Sequence, residues 1–390
     1  MAAALQISAS ILVLLSGQTA AQPSGAVAER EAASAPTDAA STAPAPSTPG
    51  SAAEPAANKP VERRWAKAPR VFGHLTAAEL GIVINEDDPY SVAVGEYYAK
   101  ARKIPAARIL RVKLPVKGVL SRDEFEGFSK KVGSYFNAKV QGLALAWRVP
   151  YAVECNSITG ALAMGFDGSL CSKTCGPSKR STYFGSASTQ PFKDHGMRLS
   201  MLLASRDVEA AQALIDRGVQ SDGTLGLRGG LPVRAHFVTT GDAIRSQRQL
   251  MFPPAGLVRR IGLDVALSQT EALRHEDRVL IYMTGRATVE GLDTIRFVPG
   301  ALADHLTSFG GILDKPHGQM PAQAWLDAGA TASYGTTSEP CAHLQKFPNP
   351  QALLLFYVQG ATALEAYWKS VMWPQQGLFI GEPLAAPFAH

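Results

Sequence analysis

"LGIVINEDDPYSVAVGEYYAKARKIPAARILRVKLPV", residues 80–116, decides the fold class. The apolar run from Leu80 to Ile84 reads as a strand buried on both faces, the pattern of a parallel sheet. It stops at Glu86-Asp87-Asp88 and Pro89, a turn in which Asp88 or Ser91 can cap a following helix. Val92, Val94, Tyr97, Tyr98 and Ala101 recur at helical spacing, and Pro105 ends the repeat. "RILRVKLPV" (108–116) is the next strand. A strand, a helix and a strand in succession make a βαβ unit with a right-handed crossover.

The same alternation continues on the C-terminal side. "SRDEFEGFSKKVGSYFNAK" (121–139) is an amphipathic helix opened by a capping box, Ser121 with Glu124 three residues on. "VQGLALAWRVPYAV" (140–153) is another buried strand. Helices are expected over 207–224, closed by Gly218, over 321–329, and as a long helix or helix pair over 349–373. Strands are expected within 232–242, 278–285, 294–308 and 330–340, and a strand and turn over 377–388. The expected fold class is therefore α/β, a mainly parallel sheet flanked by helices, with a cysteine-containing insertion at about 155–195. "GLRGGLP" (226–232) lacks the strand-before, helix-after context of a phosphate loop and reads as a flexible loop.

The N-terminus has a different character. "MAAALQISASILVLLSGQTAAQ" carries a short apolar stretch around Ile11–Leu15, then small residues suited to cleavage after Ala21, as in a secretory signal peptide. The apolar run is too short to span a bilayer, and no other stretch is long enough. Residues 22–63 are almost wholly Ala, Pro, Ser, Thr and Gly with little to bury, a disordered linker. The expected organisation is 1–21 signal peptide, 22–63 linker and 64–390 α/β domain, exported to the periplasm, envelope or exterior. The net charge of +5 is not concentrated on any helix face or Lys/Arg block, which argues against nucleic acid. Four cysteines, Cys155, Cys171, Cys175 and Cys341, suit disulfides in an exported chain. Three connectivities are open, and Cys171 and Cys175 are close enough for a small loop closure. The spacing does not suit a zinc site, and no cofactor or metal is expected.

"DDPYSVAVGEYYAKARKIPAARIL", "PAQAWLDAGATASYGTTSEP" with "LLLFYVQGATALEAYWKSV", and "LFIGEPLAAP" together resemble gingipain-like, caspase-fold cysteine peptidases. Over about residues 70–388 the chain resembles an uncharacterised exported bacterial family found in genomes with an exosortase sorting system. In the peptidases a buried strand ends in His-Gly and the next ends in Cys. The His is then base or ion-pair partner and the thiolate attacks the acyl carbon. Here the first strand ends in Thr284-Gly285-Arg286, and Arg cannot release its proton near neutral pH. The next runs through Ala303-Asp304-His305 with no Cys. The resemblance thus implies a caspase-like scaffold without the Cys–His dyad.

The expected function is a non-peptidase binding or accessory protein. Its partner would be an envelope or sorting-system protein or a surface polymer. The binding cleft would lie at the carboxyl ends of the strands, lined by Arg148, Arg286, Asp304, His305 and Glu339. Arg148, inside an apolar run, calls for a carboxylate such as Glu154 or Glu339. Arg286 is expected to hold Asp304 or Glu339. The alternative is a peptidase or esterase using unfamiliar residues of the same cleft, with Asp304, His305 and Ser308 as candidates. A displaced peptidase built on His317 and Cys341 is a further alternative.

Overall fold

The computed structural model describes residues 63–315 and 317–390. The expected signal peptide and, apart from Arg63, the expected linker lie outside them. Residues 80–116 form the expected unit: strand β1 (Leu80–Asn85), a helix over Pro89–Ala101 and strand β2 (Ile109–Val112). Every residue of β1 is buried. Asp88 is the cap, its carboxylate accepting from the Tyr90 amide at 3.0 Å.

The remaining strands are β3 (Val119–Leu120), β4 (Gly142–Leu145), β5 (Ala152–Val153), β6 (Asn156–Ser157), β7 (Leu199–Leu202), β8 (Val233–Thr239), β9 (Gly256–Val258), β10 (Leu263–Gln269), β11 (Val279–Thr284), β12 (Phe297–His305), β13 (Ala332–Thr336) and β14 (Gly377–Gly381). Eleven of them make one sheet in the order β2-β1-β4-β7-β14-β13-β12-β11-β8-β10-β9, and β3, β5 and β6 make a small second one. Helices pack against the sheet, as expected for an α/β chain.

Two pairings in the large sheet are antiparallel: edge strand β9 on β10, and β13 on β14. Strand β14 is parallel to β7 on its other side. The sheet therefore consists of two parallel halves that run in opposite directions. The carboxyl ends of β1, β4 and β7 leave at one margin, and those of β8, β11, β12 and β13 leave at the other. This corrects the expectation of a single cleft at the carboxyl ends of all the strands.

Other differences are local. The helix expected to close at Gly218 runs through it, Val208–Ser221. Gly218 is needed there because a Cβ would sit 2.5 Å from the Glu382 carboxylate. The 155–195 segment is not uniformly irregular, since it holds a helix over Ile158–Met164 and shorter turns at Ser169–Ser172 and Pro191–His195. The disulfides are Cys155–Cys171 and Cys175–Cys341, so Cys171 and Cys175 are not joined to each other. The first closes a short loop within the insertion. The second fastens the insertion to the segment after β13.

Where β14 ends, Glu382 is fully buried and gathers three side-chain donors. Arg102 reaches it through Nε at 3.0 Å and Nη2 at 2.6 Å, and the Tyr98 hydroxyl at 2.6 Å. Tyr98 lies on the helix after β1, and Arg102 is its C-terminal cap residue. This ion pair thus locks the first helix onto the strand that joins the halves. Among the described residues no helix is long and apolar enough to cross a membrane.

Arg102→Ala would leave the Glu382 charge buried without its cation, and should cost about 3–5 kcal/mol in urea unfolding. Removing the disulfides separates their contributions. The Cys175–Cys341 bridge spans 166 residues and should be worth about 5 kcal/mol on chain entropy, against about 3 kcal/mol for the 16-residue Cys155–Cys171 bridge.

Candidate functional site

Register brings most of the expected residues to one margin. Asp304 and His305 end β12 and lie beside Met283 and Thr284 of β11, while Met283 pairs with Phe237 of β8. The chain leaves β11 through Gly285 and Arg286, and leaves β13 through Ser338 and Glu339. Arg148 follows β4 and so belongs to the opposite margin. There its charge acts electrostatically on the Tyr90 hydroxyl, which donates to the Leu203 carbonyl at 2.8 Å and accepts from the Ser205 amide at 2.9 Å. Neither Glu154 nor Glu339 pairs with Arg148 among the described residues.

The ion pair expected at Arg286 is made by a different arginine. Arg286 Nη1 lies 2.5 Å from Glu271 Oε2, in a partly exposed pair away from Asp304 and Glu339. Asp304 is fully buried, and its partner is Arg248, 1% exposed, with Nη1 2.5 Å from Oδ1. Neither of these two atoms has an aligned hydrogen bond, so the contact is an ion pair held by proximity. Burial lifts the Asp304 carboxyl above the usual carboxylate range, against the opposing pull of the Arg248 guanidinium. Arg248 Nη2 donates to the Thr284 carbonyl at 2.7 Å. One guanidinium therefore holds the ends of β11 and β12 together. Arg248 comes from a 3-10 turn over Arg245–Met251 that folds over the margin after β8. Sequence reasoning missed it. The only signal was that an Asp in an apolar strand calls for some cation.

His305 is also part of the scaffold. The Trp325 Nε1–H donates to its Nδ1 at 2.9 Å, and its Nε2 lies 3.0 Å from the Met320 carbonyl. An indole nitrogen can only donate, so Nδ1 is the bare nitrogen and Nε2 carries the proton. Both ring nitrogens are engaged, and the residue is 1% exposed. Burial pushes its pKa down to about 3. Ser308 does not face it: its Oγ donates to Glu339 Oε1 at 3.1 Å, and the same oxygen accepts the Cys341 amide at 2.7 Å. Asp304, His305 and Ser308 do not assemble into a triad. The displaced dyad is also absent, since Cys341 is bonded to Cys175 and the His317 ring lies 4.1 Å from that of Phe309.

The margin is instead a stapled surface. Ser338 Oγ donates to the Cys155 carbonyl at 2.6 Å, and Gln376 Nε2 donates to Ser338 Oγ at 2.8 Å and to the Glu339 carbonyl at 3.0 Å. Lys346, fully buried, donates to the Thr174 carbonyl at 2.6 Å, and burial lowers its pKa to about 8. The insertion and the loop after β13 form one rigid unit.

A Ser–His pair does exist elsewhere, within the insertion. Ser186 Oγ and His195 Nε2 are 3.0 Å apart. The Ser188 amide donates to Ser186 Oγ at 3.1 Å, which leaves the hydroxyl proton for His195. Burial lowers the His195 pKa, and the ring is neutral at pH 7. His195 lines a cavity of about 340 Å³ with Lys179, Arg180, Thr182, Met164 and Met197. Lys369 holds the loop by donating to the Ser186 and Ser188 carbonyls. Nothing in the sequence marks this pair, since both residues lie in an irregular stretch. No group of three or more His, Cys, Asp or Glu side chains among the described residues is placed to hold a metal.

The His305 geometry fixes a pH response. An unfolded His titrates near 6.5, and the folded one is held neutral down to about 3. Between those values the unfolded chain binds the extra proton, so His305 contributes stability that is full above about pH 6.5 and is lost as pH falls towards 3. Unfolding measured from pH 7 to 4 should show a shallower acid loss in His305→Gln than in the wild type, although that variant starts less stable. Comparison with known protein families, with curated proteins and with solved structures brings no match to this chain.

Proposed function

We propose that the chain is an exported envelope protein with a non-peptidase binding or accessory role, carried on a caspase-like scaffold without a Cys–His dyad. One observation carries this reading. The two side chains best suited to peptidase chemistry at the carboxyl margin, His305 and Cys341, are both consumed by internal bonds. Parallel strands β8, β11, β12 and β13, with Thr284-Gly285-Arg286 and Asp304-His305 at the ends of two neighbours, support the scaffold comparison. That comparison is one of fold, and fold alone does not assign activity. The stapled surface around Ser308, Glu339 and Ser338 supplies a rigid platform for an envelope or sorting-system protein or a surface polymer. Two disulfides are compatible with export.

A second reading rests on Ser186 and His195. In a hydrolase built on them, Ser186 Oγ attacks an acyl carbon as its proton passes to His195 Nε2. The bond to the leaving alcohol or amine then breaks as that group takes the proton back from His195. Water, deprotonated by His195, hydrolyses the acyl–Ser186 ester to the free acid and restores the hydroxyl. The Lys179 and Arg180 rim of the cavity favours an acidic substrate.

One experiment separates the readings. The folded chain is offered peptide and p-nitrophenyl ester substrates and a fluorophosphonate probe, oxidised and after mild reduction, beside Ser186→Ala and Cys341→Ala. The binding role expects no turnover and no labelling in any sample. Labelling abolished by Ser186→Ala would move the function to the insertion. Peptidase activity that appears on reduction and is lost in Cys341→Ala would establish a latent cysteine peptidase.

A further inference from the structure

The amino-terminal margin of β8 and β10 carries a patch that the fold does not use. The loop "LGLRGGLP", residues 225–232, turns there on Gly226 and Gly229, with φ of +80° and +77°. Leu227 is 56% exposed and Leu231 72%. Leu257, on the edge strand β9, is 45% exposed. Leu231 and Leu257 line one groove of about 380 Å³, and Leu227 and Leu231 line an adjoining cavity of about 230 Å³. Arg278 borders both. Its guanidinium donates to the carbonyls of Pro232 and Leu231, at 2.9 Å each, and so fixes the end of the loop.

Basic residues neighbour these leucines along the chain, Arg228 between Leu227 and Leu231 and Arg259 and Arg260 just after Leu257. Arg228, Arg259 and Arg260 are exposed, and among the described residues no carboxylate pairs with them or with Arg278. Arg234 is taken by Glu276 at 2.8 Å. Asp264, Asp277 and His275 also line the larger groove, so the patch is positive on balance without being uniformly so. Separate exposed leucines on a loop and an edge strand, flanked along the chain by guanidinium groups without a carboxylate partner, fit a soft anionic surface better than a continuous protein groove. Leucines of this kind enter the boundary between headgroups and acyl chains, while arginines bind phosphates in bidentate fashion.

We propose that this patch docks the chain on an anionic phospholipid bilayer. Leu227, Leu231 and Leu257 enter the interface, and Arg228, Arg259 and Arg260 engage lipid phosphates. The contact is peripheral and reversible, since three side chains and a few charges are far weaker than a spanning helix.

The test is co-sedimentation of the full chain with vesicles of phosphatidylcholine alone and of phosphatidylcholine mixed with phosphatidylglycerol, at low and high salt. Binding should require the anionic lipid and weaken with salt. It should fall about tenfold or more in Leu227→Asp/Leu231→Asp and in Arg259→Ala/Arg260→Ala. All four side chains are exposed, and unchanged thermal unfolding of the variants confirms their folding. Equal sedimentation of wild type and both variants would overturn the proposal and assign attachment to another part of the chain. Equal binding to neutral and anionic vesicles would overturn the role of the arginines. No sedimentation at all would also overturn it and leave the patch to an acidic protein surface.

Discussion

The structure depends on one strand pairing. β14 runs antiparallel to β13 along its length, from Ala332 opposite Gly381 to Thr336 opposite Gly377, and parallel to β7 through Ile380 and Leu202. Without it the molecule would be two separate sheets, each with an exposed edge of unpaired backbone groups, the kind of edge that invites aggregation. Its insertion also sets the direction of each half. The margin at which a strand end emerges is therefore decided at β14, however favourable its local sequence. Glu382 follows directly, so the buried ion pair with Arg102 secures the same junction from the side of the first helix.

A second consequence concerns buried charge. At the carboxyl margin of β11 and β12, this chain places Arg248 against Asp304 and a neutral His305 against Trp325. Each is shielded from water, and each bridges elements distant in sequence. Such groups raise the cost of alternative packings because no other arrangement satisfies them. Their chemistry is spent on holding strand ends in register.

Much of the architecture was legible in the sequence because strands buried on both faces are written as continuous apolar runs. β1, β4 and β11 were all visible in this way. The capping box of Ser121 and Glu124 was equally plain, its side chains returning to each other's backbone amides. The long apolar segment at 349–373 divides where Gly360 adopts φ +94° and Thr362 caps the second helix. Three strands of the large sheet were not legible, nor were the two-residue β3 and β6 of the small one. β7 is a four-residue run inside a loop-rich stretch, and β9 and β10 are only partly buried, which blurs their pattern. The site was legible in residue type and not in partnership. Asp304 called for a cation, and Arg286 was the one nearest the same strand ends. The choice of Arg248 was made by the turn that folds over β8, a tertiary event that no spacing along the chain encodes. The antiparallel sense of β14 is hidden for the same reason, since five buried residues pair equally well in either direction.

The position of β14 along the chain also governs when the fold can form. Leu202 must wait for Ile380 before the two halves can be joined, and Arg102 must wait for Glu382. These are long loop closures, whose entropy is met late and slowly. A nascent chain emerging from a ribosome can form local helices and the first βαβ unit. It cannot close its central sheet until residue 381 has passed. The chain is thereby kept unlocked during synthesis, and its central sheet closes only afterwards.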